Sequence, residues 1–314
     1  MSIAAVVIGR NEGARLIACL DALQGQAAPV IYVDSGSTDG SLEAAIARGA
    51  EVVSLDLSVP FTAARARNAG LEQLTEGQAL VQFLDGDCVI REGWLQEAER
   101  FLNENPNVAV VCGRRRERHP EASVFNRLID EEWDTPAGEA RACGGDALMR
   151  VDALRQVGGY RDTLIAGEEP ELCVRLRQAG WRVWRLKAEM TWHDANITRF
   201  GQWWRRAQRA GHAFAEGAAL HGSPPEWHWV SETRRALLWG LALPVVILLL
   251  ALFATPWALL LGLAYPAQVV RLGRRKGLDW AIFTTVSKFA EAQGVLQYWL
   301  RRLRRGPSEI IEYK

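Results

Sequence analysis

Short, mostly continuous apolar runs recur along the first third of the chain, at Ile3 to Ile8, Val30 to Val33, Val52 to Leu55, Ala79 to Leu84 and Val108 to Val111. Runs of this length predict strands covered on both faces, because a strand with one wet face alternates apolar and polar residues. Between them, Glu12 to Leu23, Ser41 to Arg48, Thr62 to Leu74 and Gly93 to Leu102 carry helical spacing. Strand and helix alternate, so residues 1–112 predict a doubly wound, mostly parallel α/β sheet with its ligands outside the carboxyl ends of the strands. Asp34 and the pair Asp85 and Asp87 each follow such a run directly.

The pattern becomes mixed over residues 113–230, with a basic loop (GRRRERHP), helices near 121–132 and 169–179, and a short strand near 182–186. Ala236 to Val270 then supplies 35 residues without a charge. Its first part, Ala236 to Ala254, predicts a helix of roughly 28 Å, close to the thickness of a hydrocarbon core. Thr255-Pro256 ends that helix, and Trp257 to Val270, interrupted by Pro266, predicts a shorter returning segment that spans with local thinning or is re-entrant. A buried soluble hairpin is the other solution for so apolar a stretch. Further on, Ile282, Val286, Phe289, Leu296, Trp299 and Leu303 recur at helical spacing against Lys288, Glu291 and Arg301. They predict an amphipathic helix over about 280–305, lying in a membrane plane or packing as in a soluble protein. Three regions follow: 1–112, 113–230 as the second half of the same domain, and 231–314 as a membrane anchor.

Charge sharpens this division. Residues 1–230 hold 25 Lys and Arg against 32 Asp and Glu, whereas residues 231–314 hold 12 against 5. An acidic front argues against nucleic acid as the partner, and a basic tail beside apolar segments suits an anionic membrane surface. Arg234 and Arg235 precede the apolar stretch and Arg271, Arg274, Arg275 and Lys276 follow it, so a hairpin puts both basic flanks on the cytoplasmic side. Eleven of the thirteen Trp lie at or after residue 181, as interfacial anchoring would require. Five cysteines without a C-x-x-C pair read as reduced cytosolic thiols, and the first residues lack the basic n-region and long apolar run of an export signal.

Asp85 and Asp87 stand one residue apart in FLDGDC. A pair of this kind begins a turn or caps a helix, and equally offers two oxygen ligands to Mg²⁺ or Mn²⁺, whose charge offsets a diphosphate. The pair belongs to an ordered set: VVIGRNEGARLIACLDAL, YVDSGSTDGS, ARARNAGL, FLDGDC, CGGDALMR, AGEEPELCVRLRQAGWRVWRL and WHD. In this order and spacing the chain resembles the family 2 inverting glycosyltransferases with the GT-A fold, over about residues 1–220.

The resemblance implies a nucleotide-diphosphate sugar donor, first of all a UDP-sugar, a Mg²⁺ or Mn²⁺ cofactor, and a lipid-linked or envelope-glycan acceptor at the cytoplasmic face of the inner membrane. Residues 1–112 would bind the donor, and 113–230 would hold the acceptor and the base. By position, Asp34 matches the acid that holds the nucleotide base, Asp85 the acid near the ribose, and Asp87 the metal ligand. Asn11 and Glu12 fall in the first nucleotide loop, where they also suit capping of the next helix. Asp39 reads as a structural cap. Arg67 and Asn68 match contacts to nucleotide or sugar, although Arg67 also suits a surface salt bridge. Gly144 and Gly145 permit close backbone approach beside Asp146, which matches a contact to the donor sugar or acceptor. His193 matches a further metal or diphosphate contact, and Arg114 to Arg118 suit a diphosphate, a lipid phosphate or a solvated face.

The catalytic base in this family comes from a Glu-Asp pair at a helix start, and here the pair is Glu168-Glu169, with Glu169 the first choice and Glu168 the second. The helix N-terminus is expected to keep either ionised. Two other readings stand beside this one: a polyprenyl-phosphate glycosyltransferase, and a non-catalytic membrane protein that binds a nucleotide sugar.

Overall fold

The computed structural model describes residues 3–304, which fall into two compact units, Met1–Asn196 and Ile197–Lys314. The second unit thus begins ahead of the boundary expected at residue 230. Its first helix, α8 (Phe200–His221), packs along the last, α12 (Leu278–Arg304).

In the first unit the five expected strands form, as β1 (Ile3–Gly9), β2 (Val30–Asp34), β3 (Glu51–Ser54), β4 (Leu80–Asp85) and β6 (Val108–Glu117). Three short strands and one long one join them: β5 (Cys88–Ile90), β7 (Gly138–Ala140), β8 (Ala147–Arg150) and β9 (Arg182–His193). The nine-stranded sheet runs β3-β2-β1-β4-β8-β6-β9-β5, with β7 pairing β9. β1 to β4, β6 and β9 share one direction, and β5, β7 and β8 oppose it. Helices α1 (Ala14–Leu23), α2 (Ser41–Ile46), α3 (Ala63–Glu72) and α4 (Trp94–Glu104) form the expected connections, and α5 (Val124–Glu132), α6 (Val151–Gln156) and α7 (Glu168–Gln178) follow. Thr62 caps α3 by accepting from the Arg65 N–H at 3.0 Å. Further along α3, a Cβ on Gly70 would strike Val6, so the helix lies close against β1. The stretch expected as a basic loop is instead the second half of β6. Its alternating arginines reach opposite faces: Arg114 pairs with Asp130 at 3.0 Å and Arg116 with Glu189 at 2.9 Å, while Arg115 meets Asp146 at 3.0 Å.

In the second unit, α9 (Val230–Leu237), a π-helical turn (Leu238–Ala242) and α10 (Leu243–Phe253) make one helix of 24 residues, the one helix among those described that is long and apolar enough to cross a membrane. The π turn precedes Pro244, whose ring and missing N–H an unbroken α-helix would not accommodate. The returning segment is not a second such helix. It is a 3-10 helix (Pro256–Leu263) running into α11 (Ala264–Lys276). Tyr265 donates to the Trp239 carbonyl at 2.7 Å, so the two limbs do form a hairpin. From Trp239 to its tip at Phe253 that hairpin extends roughly 21 Å at the helical rise, short of a full hydrocarbon core of about 30 Å.

α12 departs from the expected arrangement. It buries a face of small residues, including Ala281, Ala290, Ala292 and Gly294, and turns Glu291 inward against Lys288 at 2.5 Å. A Cβ on Gly211 of α8 would strike the Glu291 carbonyl, and one on Gly294 the Gln208 carbonyl. Small residues let the backbones meet, and the apolar Ile282, Leu296, Trp299 and Leu303 are left exposed. Arg305, the last residue of the expected amphipathic helix, lies outside the described residues, as do residues 306–314 of the expected anchor.

Candidate active site

The acids singled out by the sequence gather at the carboxyl ends of β1, β2 and β4. In β4 the chain leaves the sheet through Asp85-Gly86-Asp87, and Gly86 fits closely there: a Cβ would stand 3.2 Å from the Ile8 carbonyl and 3.1 Å from Glu12 and press on both. Asp87 is buried and faces Nε2 of His193, at the end of β9, at 3.3 Å. One ligand atom from each of Asp85, Asp87, Cys88 and His193 lies within 4.8 Å of the others. Carboxylate oxygens and an imidazole nitrogen are thus on offer beside the Cys88 thiol, whose pKa burial raises well above its ordinary range. The oxygen and nitrogen donors fit a divalent cation such as Mn²⁺ or Mg²⁺. On its other side the His193 ring nitrogen Nδ1 faces Glu117 at 3.8 Å, and Trp133 meets the ring edge-on at 4.9 Å.

Arg67 organises the rest. It is 2% exposed, so it is no surface salt bridge. Its Nη2 contacts Asp85 at 2.8 Å and Glu169 at 3.0 Å, its Nη1 contacts Glu168 at 2.8 Å, and Tyr160 lies across its face at 5.7 Å. Gly145 closes over this group. A Cβ there would come within 2.7 Å of Arg67 and 2.9 Å of Asp85, so the close approach expected of the Gly144-Gly145 pair is made at Gly145, to these side chains. Burial works against the Asp85 carboxylate, but Arg67 and Arg115 outweigh it and hold its pKa below the usual value. Glu169 goes the other way: burial first and then Glu168 push it up to about 7, against the pull of Arg67. The helix start therefore does not keep Glu169 firmly ionised, because desolvation at a buried terminus outweighs the dipole.

Other expected site residues have structural partners. Asp34 closes the turn after β2, accepting from the Gly36 and Ser37 N–H groups at 2.8 and 2.9 Å and from Tyr32 at 3.0 Å. Asn11 accepts from the Thr38 N–H at 2.8 Å and joins the two loops, and Glu12 pairs with Arg15 at 2.7 Å. Asp39 holds Ser41 at the start of α2, as its motif suggested. Asn68 bonds Tyr160 through both ends of its amide and also Asp162, which fastens the segment leading to α7. Asp146 is fully buried, with Thr191 donating to it at 2.7 Å. Arg115, between Asp146 and Asp85, was expected only as part of the run Arg114 to Arg118 that suits a diphosphate, a lipid phosphate or a solvated face, and the role of Glu117 behind His193 was not expected; the alternation of the run within a strand would have been the signal for both.

A sequence profile described as glycosyl transferase family 2 matches residues 4–158. The chain is 26% identical over 214 residues to a glycosyltransferase, AglE, of Haloferax volcanii, covering 64% of this chain and 69% of that one. It is 31% identical over 169 residues to the pre-mycofactocin glycosyltransferase of Mycobacterium tuberculosis, spanning half of this chain but only 35% of that one. Among solved structures, the mannosyltransferase PcManGT of Pyrobaculum calidifontis, in complex with GDP-Man and Mn²⁺, superposes with a TM-score of 0.65 at 22% identity, covering 94% of this chain and 86% of that one. Glucosyl-3-phosphoglycerate synthase of Mycobacterium tuberculosis, in complex with Mn²⁺ and UDP-glucose, does so at 0.53 and 19% identity, covering 71% and 80%. These likenesses carry the fold, and the profile match carries the family: through residues 4–158 the chain is a member of glycosyl transferase family 2.

Proposed function

We propose that the chain is an inverting, metal-dependent glycosyltransferase that moves a sugar from a nucleotide-diphosphate sugar, UDP-linked as first choice, to a lipid-linked or envelope-glycan acceptor at the cytoplasmic face of a membrane. One observation carries the catalytic part: Arg67 joins Asp85 of the metal-type cluster to Glu169 through a single guanidinium nitrogen. Asp87, His193 and Asp85 would hold Mn²⁺ or Mg²⁺. Bound there, the ion offsets charge on the departing diphosphate. Relatives solved with GDP-Man or UDP-glucose and Mn²⁺ support this donor class.

Glu169 accepts the proton of the acceptor hydroxyl at its carboxylate oxygen while that hydroxyl attacks the anomeric carbon opposite the diphosphate, which inverts the centre. A pKa of about 7 leaves it part-ionised near neutrality and basic enough to take a proton. Glu168, paired to Nη1, positions Arg67. The loops at Asn11 and Asp34, tied together, form a floor for the nucleoside. The apolar hairpin, with basic residues at both ends and Leu252, Phe253 and Trp257 exposed at its tip, supports anchoring at a membrane, and likeness to a succinoglycan biosynthesis protein of Rhizobium meliloti supports a glycan acceptor.

The test is a donor screen on the full chain, read as nucleotide release with and without Mn²⁺. Glu169→Gln is expected to lower turnover by about 10² or more with donor affinity nearly unchanged. Asp87→Ala is expected to remove the metal dependence of donor binding. Turnover retained by both variants would overturn the assignment.

A further inference from the structure

A cavity of about 240 Å³ opens beside the site, on the side of β6 and β9 away from the nucleotide loops, and its walls include Arg115, Trp133, Asp146 and Arg185. Arg185 sits on β9, paired across the sheet with Cys112 of β6 and Gly138 of β7. Both neighbours are small, which leaves the space above its guanidinium unfilled. The side chain is 8% exposed. Its Nη1 donates to the Trp133 carbonyl and the Thr135 hydroxyl, and among the described residues no carboxylate lies within ion-pair distance of it. Asp134, the nearby acid, pairs with Arg114 at 3.5 Å and acts on Arg185 only from beyond ion-pair distance.

A buried guanidinium whose partners are all neutral retains a full charge and unused fork geometry. Burial accordingly lowers the Arg185 pKa. On the cavity's other wall, Nη2 of Arg115 is buried without a hydrogen-bond partner, with the Asp85 carboxylate 3.9 Å away. The acids nearby do not supply the missing charge: Asp146 is engaged by Arg115 and Thr191, and Glu132 lines the cavity as an exposed residue.

We infer that this cavity binds an oxyanion, a carboxylate or a phosphate, carried by the acceptor, with Arg185 as its counter-ion and Trp133 as an apolar wall. The word acceptor rests on the glycosyltransferase reading; the anion site does not. Cys143, which lines the cavity, has its Sγ 3.7 Å from that of Cys173, about one turn along α7 from Glu169, so the cavity wall rests against the helix that carries the proposed base.

Two acceptors share this chemistry, a lipid phosphate and an acidic sugar, and titration calorimetry on the full chain in detergent separates them with octyl phosphate, glucuronate and inorganic phosphate as probes. At least one probe is expected to bind the wild-type chain and to lose about tenfold or more in affinity in Arg185→Gln, with nucleotide-sugar affinity unchanged. Arg185→Lys is expected to keep part of the affinity, since it retains charge without the fork. Tighter binding of octyl phosphate assigns a lipid phosphate, and tighter binding of glucuronate an acidic sugar. Absence of binding by every probe, equal losses in the Gln and Lys variants, or competition between probe and nucleotide sugar would overturn the proposal. A chain that binds the probes through Arg185 but no nucleotide sugar leaves this site standing and refutes the glycosyltransferase reading alone.

Discussion

In the unit that ends at Asn196, Phe83, Leu84, Trp94 and Leu95 are at most 2% exposed, whereas in the unit that begins at Ile197, Leu252, Phe253, Trp257 and Leu303 are 75, 84, 76 and 79% exposed. Apart from Glu291, which α12 buries with Lys288, the charged groups are distributed in the reverse sense. The first unit buries Arg67, Asp87, Asp146 and Glu169 together in its site, while the second keeps Arg234, Arg235, Arg274 and Arg275 away from its packed faces. A water-soluble core hides apolar area and tolerates buried charge only in pairs; exposed apolar area on this scale marks a face for a partner protein or a membrane. The first unit is therefore built for chemistry and the second for its surroundings, and each substitution below sets one against the other.

The largest effect is expected at the buried ion cluster. Arg67→Met removes the cation shared by Asp85, Glu168 and Glu169, and stranding buried charges costs about 3–5 kcal/mol. Denaturant unfolding read from the first unit should show that loss, and the helical signal of the second should melt as before. A loss below about 1 kcal/mol would mean that the carboxyls neutralise themselves by protonation.

Next comes the apolar tip. Changing Phe253 and Trp257 together to Ser should weaken binding to anionic vesicles by about 10² or more, at about 1.5–3 kcal/mol for each buried apolar side chain. Changing Ile46 and Leu57, which are 62 and 66% exposed in the first unit, should leave vesicle binding unaltered. Equal effects of the two pairs in a flotation assay would erase the contrast between the units.

The sequence makes these regions unequally legible. Continuous apolar runs announced β1, β2, β4 and the first half of β6, because a strand buried on both faces needs no partner to be recognised, whereas β3 formed as expected although it is an edge strand and only half-buried. β5, β7 and β8 are too short, at three or four residues, to carry a period. The run Arg114 to Glu117 was opaque because arginines become strand residues only when Asp130, Asp146 and Glu189 wait on the correct faces, and that is tertiary information. The acids at Asp85, Asp87 and Glu169 stood out through their motifs, and Arg67 through its own as a contact to nucleotide or sugar; that its guanidinium joins Asp85 to Glu168 and Glu169 was not legible. Likewise Lys288 and Glu291 suggested a polar face on α12, and only the packing of Gly211 and Gly294 shows that they point inward.

A smaller effect is expected from pH. If Glu169 is the base, kcat/KM should fall roughly tenfold per pH unit below about 7, and Glu169→Gln should flatten that limb. For stability the sign is opposite. The pKa is raised from an ordinary 4.5, so the folded state holds the proton more tightly; this contribution is full below 4.5 and is lost as pH rises through about 7. A rate limb at about 7 without this loss of stability would assign the limb to another group.

The smallest effect, ideally none, is expected on donor affinity when the second unit is removed. Every candidate donor and metal ligand, from Asn11 to His193, precedes Asn196. A chain ending at Asn196 should therefore bind nucleotide sugar with Mn²⁺ within about twofold of the full chain, since no donor contact is lost. Ending the chain near Ser231 should be worse, although it removes less. It keeps α8 but deletes α12, and so uncovers the backbone at Gln208 and Gly211 that Gly294 and Glu291 otherwise meet. The longer fragment should aggregate where the shorter stays monomeric in size-exclusion chromatography. If both fragments are soluble and bind donor equally, α8 folds without its helical partner; if the shorter fails to bind, the donor site draws on residues beyond Asn196.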